Sequence, residues 1–148
     1  MRWRLLAAVF IAGALLTARD VLCQESTPPS LHDFAGTWSG TYICAQGVTG
    51  LTLFVDPRSG DAVFSFYPLP ENPDVAAGEF TMSGHFDAKS EQFVLVPGSW
   101  RERPPGYVMV GLIGQIDVVT GHFVGTVRST SWLAPCRTFD LRRAATTT

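Results

Sequence analysis

Beyond the first two dozen residues, apolar side chains recur at every second position and nowhere hold a 3.6-residue period over three turns. Period two marks half-buried strands, because successive side chains of a strand point to opposite faces. Eight such runs stand out: 36–44 (GTWSGTYIC), 50–55 (GLTLFV), 61–67 (DAVFSFY), 78–86 (GEFTMSGHF), 91–96 (EQFVLV), 106–116 (GYVMVGLIGQI), 121–127 (GHFVGTV) and 136–143 (CRTFDLRR). Turn-forming stretches separate them. DPRSGD (56–61), DAKS (87–90) and DVVTG (117–121) read as hairpin loops, whereas 68–77 and 97–105 are longer and carry proline.

Strands joined in order by hairpins make a meander, and a meander of eight strands escapes bare edges by closing on itself. The expected fold is all-β, an eight-stranded antiparallel up-and-down barrel; a two-sheet β-sandwich is the alternative that the same strand count allows. In such a barrel the first and last strands are neighbours. Cys44 ends the first and Cys136 begins the last, so both lie at one rim and a disulfide between them staples the seam. Such a bond contributes typically ~2–4 kcal/mol.

The opening residues read differently. Arg2 and Arg4 precede an apolar run from Leu5 to Leu16, too short to span a bilayer and laid out as a secretory signal peptide. Cleavage after Ala18 and cleavage after Cys23 both fit; the second leaves Cys44 and Cys136 as an even pair in an oxidising compartment. The chain then divides into a signal peptide (1–23), a flexible lead-in (24–33), one barrel domain (34–143) and a disordered tail (144–148). A secreted, extracellular product is expected. Losing Arg2, Arg4, Arg19 and Asp20 moves the net charge from −2 to about −4. Without a basic stripe, nucleic acid is excluded as a partner, and no second apolar run of membrane length puts the mature form in a bilayer.

Counting back along both strands from the cystine places Trp38 opposite Arg142, with Arg143 as the other candidate. A guanidinium over the indole contributes ~0.5–2 kcal/mol. Phe139 and Leu141 alternate out of phase with Cys136, so either the cystine sits on the outer face or a bulge resets the register. Gly36-Thr37-Trp38 on the first strand, with an arginine near the end of the last, resembles the calycin group of secreted β-barrels, the lipocalins and avidins. The resemblance implies a barrel with a mouth. It implies no particular ligand, because no Thr-Asp-Tyr motif and no polar cluster matching the avidin biotin site is present.

No G-x-S-x-G, HExxH or P-loop occurs, so the chain shows no catalytic motif and no cofactor fingerprint. His85 and His122 alternate away from the phenylalanines and are expected on the outer surface; with Asp87 nearby, their spacing matches no metal-ligand pattern. Phe64, Phe66, Phe80, Phe86, Phe93, Tyr107 and Phe123, with Met82 and Met109, alternate onto one face that either fills the barrel or lines a cavity for a lipid-like ligand. The segment 97-PGSWRERPPGY-107 carries Trp100, Arg101, Arg103 and Tyr107, the residue types enriched at binding hot spots. Its alternative role is a rim plug that folds Trp100 over the barrel end. Two functions are therefore expected of a binding protein of this shape. One is a carrier of a small apolar molecule in the interior. The other is a module that binds a protein or glycan through the rim loop 97–105.

Overall fold

The computed structural model describes residues 27–129 and 135–145. A helical turn, α1 (Leu31–Phe34), leads into eight strands: β1 (Gly36–Cys44), β2 (Gly47–Val55), β3 (Ala62–Tyr67), β4 (Gly78–Asp87), β5 (Gln92–Glu102), β6 (Val110–Ile116), β7 (Phe123–Ser129) and β8 (Thr138–Arg143). Each strand pairs antiparallel with the next and β8 returns to β1, so the sheet is a closed barrel in chain order. The expected signal peptide and cleavage sites lie outside the described residues. Among these, no helix is long and apolar enough to cross a membrane.

Alternation builds the interior. On β3 the buried residues are Ala62, Phe64 and Phe66, with Val63, Ser65 and Tyr67 between them on the outer face. The inward set meets in one core, where Phe64 stacks on Phe80 at 4.6 Å and Phe123 sits edge-on to Phe139 at 4.9 Å. The barrel is filled through its middle. Gly84, Gly114 and Gly125 serve close packing there: a Cβ at each would fall within 2.0–2.3 Å of a neighbouring backbone carbonyl oxygen.

The two ends differ. At the end where β1 begins, three hairpin turns repeat one design over 56–61, 87–92 and 117–122. In each an aspartate (Asp56, Asp87, Asp117) accepts hydrogen bonds from backbone N–H groups two or three residues on. The fifth residue of each turn then has positive φ: Gly60 at 78°, Gly121 at 70° and, without a glycine, Glu91 at 56°.

The same end is closed by α1, which occupies the last residues of the segment expected as a flexible lead-in. Phe34 is fully buried and packs against Phe86, Phe93 and Phe123 at centroid distances of 4.9–5.7 Å. The Trp38 indole N–H donates to the Phe34 carbonyl at 2.8 Å. Across the seam, the Arg143 guanidinium lies 4.4 Å from the Trp38 ring and donates to the carbonyls of Ala35 (2.8 Å) and Asp33.

Arg143, not Arg142, is thus the residue over the tryptophan; Arg142 pairs with Ser39 instead. The one-residue offset has a physical origin. The β1–β8 ladder is regular only from Trp38↔Arg143 to Tyr42↔Phe139, and Cys136 lies beyond its end. There Arg137 donates to Ile43 O (2.8 Å) and accepts from Val127 N–H (2.9 Å). The chain bends, and Cys136 reaches Cys44 although it is out of phase with Phe139 and Leu141. Of the two expectations the irregularity holds, since Cys44 is buried with Trp38 and Tyr42 on the inner side.

Candidate functional site at the open end

At the opposite rim the core stops short of solvent and leaves a cavity of about 300 Å³. Tyr42, Phe66, Phe80 and Tyr107 supply its aromatic walls, Val108 and Val110 a further side, and the Cys44–Cys136 bond another. Gln46 supplies an amide at its edge. Among the described residues, none that lines it carries a formal charge.

Each wall is held from outside. β1 and β2 are joined by only Ala45 and Gln46, so Gln46 projects from a tight two-residue turn at the rim. The long β3–β4 connection folds over that turn: the Asn72 side-chain amide donates to Gln46 O (2.8 Å) and Val48 O (2.9 Å). In the same connection, the Ala76 N–H donates to the Tyr107 hydroxyl at 3.1 Å. Tyr107 is further fixed by stacking on Phe66, 5.3 Å between centroids and 15° between planes. Tyr42 accepts from Gln46 Nε2 at 3.0 Å. Burial, and then the neighbouring Tyr107, push the Tyr42 phenol well above its ordinary value, so it remains a neutral hydroxyl.

The segment 97–105 is mostly not a loop. β5 continues to Glu102, paired with β4 across a bulge near Phe80 and Met82. The Thr81 hydroxyl takes the place of ladder bonds, accepting from Ser99 N–H (3.0 Å) and donating to Ser99 O (3.3 Å). On its other side β5 pairs with β6 only over Phe93–Leu95; Pro97, with no N–H to offer, follows two residues later. The two strands then splay. β6 begins at Val110 rather than at Gly106, and the intervening turn carries Tyr107 inward.

Strand geometry separates the four candidate residues. Trp100 is half-buried and edge-on to Phe80 (5.2 Å) and Phe66 (6.2 Å), backing two cup walls. Arg103 lies 5.9 Å from its ring. Tyr107 lines the cup itself. Arg101, one position along from Trp100, points to the other face and meets Glu79 at 3.2 Å. The Ser65 hydroxyl first, and Arg101 after it, hold the Glu79 carboxyl below its usual range. Tyr107 and Trp100 therefore converge, and Arg101 does not.

The histidines lie elsewhere. His85 is exposed, and His122 Nδ1 sits 2.8 Å from Asp140 Oδ1 on the outer wall. Among the described residues no three His, Cys, Asp or Glu side chains gather around one point. A larger hollow of about 770 Å³ lies at the closed end, outside the Trp38 seal. It mixes the carboxylates of Asp33, Glu91 and Asp117 with the guanidinium groups of Arg142 and Arg143.

Tyr42 and Gln46 are polar cup residues that sequence reasoning passed over. Tyr42 was within reach, because it alternates with Trp38 and Cys44 on one strand face. Gln46 carries no such signal.

The fold and this site define a disulfide-stapled, eight-stranded β-barrel with one sealed end and one cupped end. Compared with family models, curated proteins and solved structures, the chain matches none of them.

Proposed function

We propose that this is a secreted, calycin-like binding protein that takes up a small apolar molecule in the open-end cup. The observation that carries the reading is an uncharged, mostly aromatic cavity of about 300 Å³ at the rim of an otherwise filled barrel. That volume is at the lower end of the ~300–1,000 Å³ range of ligand pockets. The pocket is also braced by contacts that do not depend on a ligand, namely those from Asn72 and Ala76. The cystine is the type of bond that persists in oxidising compartments, which supports secretion. A protein- or glycan-binding role for 97–105 draws less support. Trp100 is turned against Phe66 and Phe80, and Arg101 is engaged by Glu79.

Filling the cup tests the reading. Val108 lines it yet is 42% exposed, so Val108→Trp adds bulk at the rim without entering the core. Calorimetric titration with toluene as the probe should give saturable binding to the wild type and none to Val108→Trp at an unchanged urea midpoint. Wild-type protein that does not bind the probe, or a variant that binds it equally well, overturns the proposal.

A further inference from the structure

We infer that the ligand class for this cup is an aromatic molecule of one or two rings that carries no anionic group and bears a single hydroxyl-type group, oriented by Gln46. The inference rests on the cup reading above and narrows it to a chemistry.

The charge argument comes first. Among the described residues, those lining the cup include no Asp, Glu, Lys, Arg or His. Arg101 meets Glu79 and Arg103 lies beside the Trp100 ring, and neither lines the cup. A carboxylate entering the cup would lose water and gain no counter-charge from the walls, which penalises anionic ligands strongly. A fatty acid is therefore a poor occupant.

Shape comes second. Phe66 and Tyr107 form one stacked pair and Phe80 belongs to another, with Phe64 at 4.6 Å and 16°. Flat walls of this kind favour a flat guest, which can stack or meet them edge-on. About 300 Å³ suits one or two rings.

The polar handle comes third. A side-chain amide has two N–H donors and an acceptor oxygen. Gln46 spends one donor on the Tyr42 hydroxyl, and no buried side-chain polar atom lacks a partner among the described residues. Gln46 is part-buried and lines the cup, so its amide offers an N–H and a carbonyl oxygen at the cavity edge. Together they match a group that both donates and accepts, as a hydroxyl does. Asn72 holds the Gln46 backbone by its carbonyl, so little freedom is lost when the ligand arrives.

Three probes of like size separate the terms: toluene, p-cresol and benzoate, titrated calorimetrically into the disulfide-intact protein at neutral pH. p-Cresol should bind about tenfold more tightly than toluene, the worth of one net hydrogen bond. Benzoate should not bind measurably. Gln46→Leu should erase the preference for p-cresol over toluene, and toluene binding that stays saturable in the same variant shows that it is folded. Equal binding of p-cresol and toluene overturns the inference while the cup reading stands. So does binding of benzoate as tight as p-cresol, or a preference that survives Gln46→Leu. Failure of all three probes overturns the cup reading and this inference with it.

Discussion

The sealed end of the barrel is packed and hydrogen-bonded, with Phe34 against three rings and Trp38 bonded to the Phe34 carbonyl. The cupped end brings four aromatic rings to the rim and leaves about 300 Å³ among them. Both ends sit on the same strands, but pairing loosens toward the cup, where β5 leaves β6 after Leu95 and the β1–β8 ladder stops at Tyr42↔Phe139. At the sealed end, α1 and the last residue of β8 reach across and fill the opening. At the cupped end the seam is held covalently, and the connection 68–77 braces the rim from outside rather than plugging it. A covalent staple needs no packing partner, so a cavity can persist beside it. Empty space costs its lining the dispersion contacts that a filled core makes.

The largest test of this contrast compares tryptophans. Trp38→Ala should destabilise by ~3–5 kcal/mol, as truncation of a fully buried aromatic does, whereas Trp100→Ala should cost about half as much. Similar shifts in urea midpoint for both would mean that the cupped end is packed as tightly as the sealed one.

Removing the cystine comes next. The double variant Cys44→Ser, Cys136→Ser should lose ~2–4 kcal/mol. Hydrogen exchange should localise the loss: amides of Cys44–Val48 exchange faster, while those of Gly36–Trp38 stay protected by the Arg143 clamp until global unfolding. Uniform loss of protection would break the idea of two independently held ends.

The clamp itself is smaller. Arg143→Met forfeits the contact with the indole and the bonds to Ala35 and Asp33, an expected cost of about 1–2 kcal/mol. Arg142→Ala should stay within about 0.5 kcal/mol. Equal effects in chemical denaturation would return the assignment to either residue.

Within the sealed end, the three copies of one turn offer a finer comparison. Glu91 occupies a left-handed position that its two counterparts give to glycine. Glu91→Gly should therefore stabilise by about 0.5–1 kcal/mol, and Gly121→Ala should destabilise by a similar amount. A thermal midpoint that falls for Glu91→Gly would show that the Glu91 side chain contributes more than its backbone costs.

Acidification should produce the mildest effect, beginning at the sealed end. Hydrogen bonds from backbone N–H groups hold Asp33, Asp56, Asp87 and Asp117 below their ordinary value of 3.8. A folded value below the unfolded one stabilises at higher pH, and the gain disappears as pH falls through the folded values. Turn amides at 58–59, 89–90 and 119–120 should thus lose exchange protection below the ordinary aspartate range before the rim around Tyr42 does. Loss that begins at the rim would reverse the assignment.

Local chemistry made much of this molecule readable in one dimension. Alternation marked all eight strands, with β1 bounded as observed, because a strand writes its two faces into successive residues. Aspartate-led turns marked the hairpins. Closure of the meander then brought Cys44 and Cys136 to one rim, and that pairing required only strand order. Other features were decided by residues far apart in the chain. Arg143 took the place over Trp38 because the ladder ends before Cys136, a register detail with no mark in the residues themselves. Phe34 became core because it docks on Phe86, Phe93 and Phe123, three side chains from other strands. Trp100 and Arg101 parted because β5 runs on to Glu102 through a proline, held by the Thr81 hydroxyl where the ladder is irregular. The cup has the same origin. A cavity is volume that converging side chains fail to fill, and sequence order records neither the convergence nor the failure.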